Sequence, residues 1–300
     1  MQTTAPSSTR THVQGWLAAR LSAESKRWLD EARAELAAGA ADERFCILLS
    51  TASRHVARGP LAPTPEERCK AWGALEGFDP ERWTLLDAVR VELVLAHPRI
   101  GDEAGARALE EAFRYTDVGE ACALYRSLAH LPKPERFAWR AGEGCRSSMQ
   151  AVYEAAATDT PYPFRHFDAI AWRQCVVKGL FVGAALPRIF GLDQRLDAEL
   201  ARMALDLADE RRSAGRPVPI DLWLCLGAHA GERGRTALEH ELAHGAAGAR
   251  MSAAHALARA NESARTRPWL EREKDAAVRR EMEAALERPH ASRELLRLPR

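Results

Sequence analysis

The chain has 300 residues, 46% hydrophobic and 28% charged, which is the balance of a globular protein with room for one large domain or two small ones. Its 43 lysines and arginines offset 42 aspartates and glutamates, leaving a net charge of +1 and no global field to gather nucleic acid or an anionic membrane. Six cysteines stand far apart with no CxxC pair, which gives no support to a cysteine zinc site and fits buried thiols in a reducing, cytoplasmic compartment.

The first ten residues, MQTTAPSSTR, contain no apolar core and are expected to be disordered. No later stretch reaches the ~18 apolar residues that a membrane span needs. Residues 23–38 place Trp28, Leu29, Ala32 and Leu36 on one helical face, ended by Gly39. Residues 44–55 continue as helix. After the proline-rich connection 59–65, Thr64-Pro65-Glu66-Glu67 reads as a capped helix start. Residues 83–96 are apolar on most faces, which predicts a central buried helix stopped by His97-Pro98. Residues 102–115 and 117–129 form the next pair, the second with Asp117 and Glu120 at capping-box spacing.

Residues 135–158 read as one longer helix, weakened at Gly142 and Gly144. Two prolines in Thr160-Pro161-Tyr162-Pro163-Phe164 predict an extended loop. Helices follow over 168–181 and 195–214, then Arg216-Pro217-Val218-Pro219 as punctuation before 220–226. Residues 233–297 divide into three short helical blocks, with breaks at Gly245, Gly248 and Pro268. Alanine, leucine, arginine and glutamate dominate, and no alternating run ends in a hairpin turn. The expected fold is all-α, an irregular multi-helix bundle or HEAT-like α-solenoid. Its expected division is a disordered start (1–10), a helical domain (11–230) and a helical C-terminal extension (231–300).

Two constellations carry chemistry. His240-Glu241-Leu242-Ala243-His244 is a literal HExxH, which on a helix would set two imidazoles one turn apart with Glu241 beside a zinc-bound water. Glu262, in Asn261-Glu262, is the candidate third ligand. The zincin fold needs a sheet beside this helix and none is expected, so the reading carries no metal or other cofactor and leaves a zinc hydrolase as an alternative. The central stretch 129–191 is richer, mixing Arg140, Arg146, Arg165 and Lys178 with Trp139, Tyr162, Phe164, Phe167 and Trp172. On helix 168–181, Trp172, Cys175 and Gly179 share one face, and Gln174, Lys178 and Phe181 another. Aromatic groups with a few convergent charges suit a small-molecule pocket. Gly142-Glu143-Gly144 is no phosphate loop, and Ser147 has no identifiable base.

Residues 124–155 (LYRSLAHLPKPERFAWRAGEGCRSSMQAVYEA) and 160–203 (TPYPFRHFDAIAWRQCVVKGLFVGAALPRIFGLDQRLDAELARM) resemble the EboA family. The segments RHVARGPLAPTPEE, FDPERWTLLDAVRVELVL and SAGRPVPIDLWLCLG fit the same pattern, so the resemblance runs from Trp16 to Gly227. It implies an all-helical protein, encoded with a prenyltransferase-like membrane protein and TIM-barrel-type enzymes. Such clusters are linked to moving a secondary metabolite from cytoplasm to periplasm. The family's recurrent polar residues fall here on Arg146, Ser147, His166, Asp168, Gln174, Lys178, Asp193 and Arg195. Where that family often shows Arg-Ser-Asn, this chain has Ser148 as the third residue.

The leading expectation is an accessory protein of such a system, more a binder than an enzyme. It would present the Tyr162–Asp168 loop and the Lys178 helix to a small apolar metabolite or to a partner protein of the cluster. The alternative is an enzyme acting on the metabolite, with His166 and Asp168 as acid and base and Lys178 or Arg146 stabilising an anion.

Overall fold

The computed structural model describes residues 6–299, and among them the fold is all-α: helices joined by short turns, with no sheet and one isolated bridge between Pro60 and Thr84. Backbone packing divides the chain into two compact units, with the boundary between Asp168 and Ala169.

The first unit is built around the Leu85–Ala96 helix, whose residues Leu86 to Leu95 are all buried. Thr84 starts it through a capping box with Asp87, and His97 before Pro98 stops it. Helices Pro6–Arg20, Ala23–Ala37, Asp42–His55 and Val118–Ser127 pack around it. Three buried charges on this helix are each met from outside. Glu92 accepts from Arg10, Gln14 and Arg33, and Asp87 pairs with Arg126. Arg90 donates to the Leu49 carbonyl at 3.0 Å and to Glu120 at 3.4 Å. Burial pushes the Arg90 guanidinium below its ordinary range while Glu120 draws it back. The expected boxes at Thr64 and Asp117 are both formed.

Three expectations are corrected in this unit. Residues 6–10 begin the Pro6–Arg20 helix; the rest of the expected disordered start, residues 1–5, lies outside the described residues. The single helix over 135–158 is three pieces: Pro134–Phe137, Ala138–Arg146 and Gln150–Ala157. The break falls at 147–149, not at the glycines. Gly144 lies inside the second piece because packing needs it: a Cβ there would stand 2.7 Å from both Ala156 and Tyr125. The expected extended loop holds the short Tyr162–His166 helix instead. Pro161 enters with helical backbone (φ −79°, ψ −1°) and Pro163 occupies the first turn, where a missing N–H costs nothing.

The second unit centres on the Ala247–Arg259 helix, packed against Gly231–His244, Ala276–Glu287 and the 3-10 segment Ile220–Cys225. Buried alanines (Ala249, Ala253, Ala254, Ala256, Ala258) let these neighbours approach closely. Gly248 lies within this helix and is not the break the sequence suggests. Trp172 and Trp223 are its largest buried side chains. Arg173 on the Ala169–Val182 helix reaches Asp197 at 2.7 Å, and Asp197 in turn caps Ala198–Ser213 through the Leu200 N–H. Residues 231–299 thus share their core with 169–227.

Gly144→Ala gains about 1 kcal/mol of helix propensity but loses about 1–3 kcal/mol to overpacking, so it lowers the denaturant midpoint. Gly142→Ala, whose Cβ would meet only the Arg146 guanidinium, at 3.3 Å, is neutral or stabilising. A midpoint unmoved by Gly144→Ala would show that this approach is not tight.

His130, wholly buried against Phe78 and Trp83, has its imidazole pushed down by burial to about 3. The unfolded chain, with an ordinary value near ~6.5, binds that proton more readily, so stability is full above that pH and falls as pH drops towards 3. At pH 5 the loss from this residue is about 2 kcal/mol. Urea midpoints at pH 7 and pH 5 should differ less in His130→Leu than in the parent protein. His97 and His255, also lowered by burial, retain the remainder.

Candidate functional site

The sequence-expected residues fall on both sides of the unit boundary: Arg146, Ser147, Tyr162, His166 and Asp168 belong to the first unit, Gln174, Lys178, Asp193 and Arg195 to the second. In the first unit Tyr162 is buried at 2% exposure, and its hydroxyl donates to the Pro134 carbonyl. Burial pushes that phenol far above its usual range. The half-buried His166 ring lies 4.7 Å from the Tyr162 ring, and burial lowers its basicity. Arg146 is exposed and paired with Glu143 one turn back, and the Ser147 hydroxyl accepts the Met149 N–H at 3.1 Å. Asp168 is exposed just before the Ala169–Val182 helix. The stretch holds a strut, Tyr162 to Pro134, in place of an open aromatic loop.

In the second unit Gln174 and Phe181 face solvent and Lys178 is half-buried, while Trp172, Cys175 and Gly179 face the core, as the periodicity predicts. The Arg195 guanidinium stacks over the Trp172 ring at 4.7 Å, and its carbonyl accepts the indole N–H. Asp193 pairs with Arg259 at 2.6 Å and accepts from both the backbone N–H and the hydroxyl of Ser292, which ties the Ser292–Arg297 turn to the unit. Those bonds hold its carboxyl below the usual range against the opposing effect of burial.

The HExxH lies on the Gly231–His244 helix. Spacing of four puts both imidazoles on its exposed face, 4.9 Å apart between ring centres. Glu241, one residue on from His240, turns inward instead and is bonded to Arg212 at 2.7 Å. Glu262 is held by Arg235 and Arg265. Among the described residues no group of three histidine, cysteine or carboxylate side chains could hold a metal ion.

Two features escaped the sequence reading. In the first unit Arg82 bonds Glu154, Thr158 and Asp159, closing a polar slot of ≈ 10 Å³, room for about one water. Asp159 is held there at φ +56°, in the left-handed region where non-glycine residues are strained. In the second unit the segment Pro217–Ile220 lines two grooves. The apolar one, ≈ 330 Å³, is walled by Leu180, Gly183, Ala184, Val218 and Ile220, with Asp221. The other, ≈ 590 Å³, shares Pro217, Val218 and Ile220 and adds Arg212, Arg216, His240, His244 and Pro299. These are volumes that small organic ligands occupy. The signal available in sequence was the PVPI of residues 217–220, uncharged and free of aromatics.

Among the described residues no helix is long and apolar enough to cross a membrane. The family model described as metabolite traffic protein EboA matches residues 9–227. No curated protein and no solved structure matches the chain. The chain belongs to the EboA family.

Tyr162→Phe removes the strut and leaves the Pro134 carbonyl without that donor, a cost of about 1 kcal/mol in unfolding free energy. A variant of unchanged stability that had lost a ligand would instead make Tyr162 a ligand contact.

Proposed function

We propose that this EboA family member serves metabolite traffic as a binding protein, holding a small apolar molecule in the groove at Pro217–Ile220. The single observation that carries this reading is that groove: an apolar concavity of ligand size in the second unit, walled by Leu180, Ala184, Val218 and Ile220. Those four residues all lie within the matched segment 9–227, whose family description is metabolite traffic. Filling the groove removes apolar surface from water on both molecules, at roughly 25 cal/mol per Å². Gln174 and Lys178 stand on the same helix as Leu180, outside the groove lining, and are assigned to a partner protein that receives the ligand.

The test uses a neutral apolar dye, N-phenyl-1-naphthylamine, whose fluorescence rises on leaving water. The protein should bind it saturably. Val218→Glu, which sets a carboxylate in the apolar wall, should weaken binding about tenfold or more. Tyr162→Phe, in the other unit, should leave it unchanged. Saturable binding indifferent to Val218→Glu, in a variant with native circular dichroism, would place the ligand elsewhere.

A further inference from the structure

The Ala169–Val182 helix keeps one face in the core of the second unit and presents another to water. Trp172, Cys175, Val176 and Gly179 are buried, and the helix packs on Ala198–Ser213 and the turn Leu186–Arg188. On the opposite face stand Ile170, Gln174, Val177 and Phe181, at steps of four, three and four. That is the spacing of a coiled-coil seam, in which each side chain fits between four on a facing helix. Ile170 is 64% and Phe181 58% exposed, while Val177 and Lys178 are half-buried. Scattered exposed apolar residues are ordinary, but a row at this spacing on one helix is a contact surface.

Charge and polarity along the seam select what covers it. The helix carries Arg173 and Lys178 and no carboxylate. Arg173 is held by Asp197 at 2.7 Å, which leaves Lys178 as the flanking cation beside Val177 and Phe181. A second copy of this helix would bring only cations to the same flanks, where like charges oppose pairing. A lipid surface is a poor match as well. Gln174 sits in the middle of the seam, and hydrocarbon offers its amide no hydrogen-bond partner, whereas a facing helix can supply one. A helix with apolar residues on one stripe and carboxylates along its flanks satisfies the seam, the amide and the cation together.

We propose that this face docks an amphipathic, acid-flanked helix of a partner protein. Its heptad-spaced apolar residues lie against Ile170, Val177 and Phe181, a polar side chain meets Gln174, and a carboxylate meets Lys178. This rests on the apolar groove being the ligand site, and adds where a receiving partner sits and by what chemistry it is recognised. The position suits a hand-over. Leu180 and Gly183, on either side of Phe181 in the chain, both line that groove, so Phe181 brings a docked helix to its edge.

The experiment titrates the full-length protein against two labelled helical peptides of three heptads, read by fluorescence anisotropy. Both carry leucines on the seam with one central asparagine; one has glutamates at the flanking positions and the other lysines. The glutamate peptide should bind saturably and about fivefold more tightly than the lysine peptide. Ile170→Ser with Phe181→Ser should abolish binding, and Lys178→Glu should invert the preference between the peptides. Ile170 and Phe181 are exposed, so the variants should keep native circular dichroism and bind N-phenyl-1-naphthylamine as the parent does. Binding of neither peptide, or binding indifferent to the double variant, overturns the docking face; dye binding in the same samples decides the groove separately. A parent protein that is dimeric by light scattering and monomeric as the double variant places a second copy on the seam. Capture by vesicles of equimolar phosphatidylcholine and phosphatidylglycerol, lost in the double variant, places a membrane there. Either result overturns the helical partner.

Discussion

Glu92 has no exposed side-chain surface, yet it carries a charge into the middle of the first unit. Arg10 from one helix and Arg33 from another converge on one of its oxygens, with Gln14 beside them. Asp87 and Arg90, on the same helix, reach Arg126, Glu120 and the Leu49 carbonyl. A buried charge is costly unless it is paired, and breaking such a pair costs about 3–5 kcal/mol, so the neighbours are held to the register that satisfies these groups. Apolar packing alone would tolerate rotation or sliding of a helix that is greasy on every side. The charges remove that freedom. Arg259 does the same in the second unit, spanning Asp193, the Leu224 carbonyl and the His290 carbonyl.

This division of labour explains what the sequence disclosed and what it withheld. Helix class, the caps at Thr64 and Asp117 and the central helix depend on neighbours within four residues, so local pattern revealed them. The Tyr162–His166 helix was hidden because the proline rule is a bias on the preceding residue, which the surroundings of Pro161 override. The break at 147–149 was misplaced because Gly144 looked like a weak point when it is a contact point, and only Tyr125 and Ala156 reveal that.

The candidate site was less legible for a related reason. Residue type reports what a side chain can bond, not whether the fold has already supplied the partner. Tyr162 has Pro134, Asp193 has Arg259 and Ser292, and Arg195 has the Trp172 ring. The HExxH shows the same limit at closer range. Both histidines reach the surface because they are four residues apart, but the glutamate one step on turns about 100° away and belongs to Arg212. A concavity has little local signature beyond the PVPI of residues 217–220, since its walls come from segments 30 or more residues apart.

The groove stands apart from these satisfied groups because its walls cannot satisfy themselves. Leu180, Ala184, Val218 and Ile220 curve around a volume that no side chain of the unit fills, whereas the alanine-rich faces of Ala247–Arg259 close completely on their neighbours. The Pro217–Ile220 segment keeps the volume open. Pro217 and Pro219 fix their own backbone and donate no N–H, so residues 217–219 stay out of the Ala198–Ser213 helix, and Ile220 opens the 3-10 segment that follows. It stands as a rigid ridge with apolar surface on both flanks, an arrangement that stores little strain and loses little entropy when a ligand is bound. Preorganisation of this kind, in the part of the chain that the family shares, is what a protein needs if it is to take up and release an apolar molecule without rearranging its core.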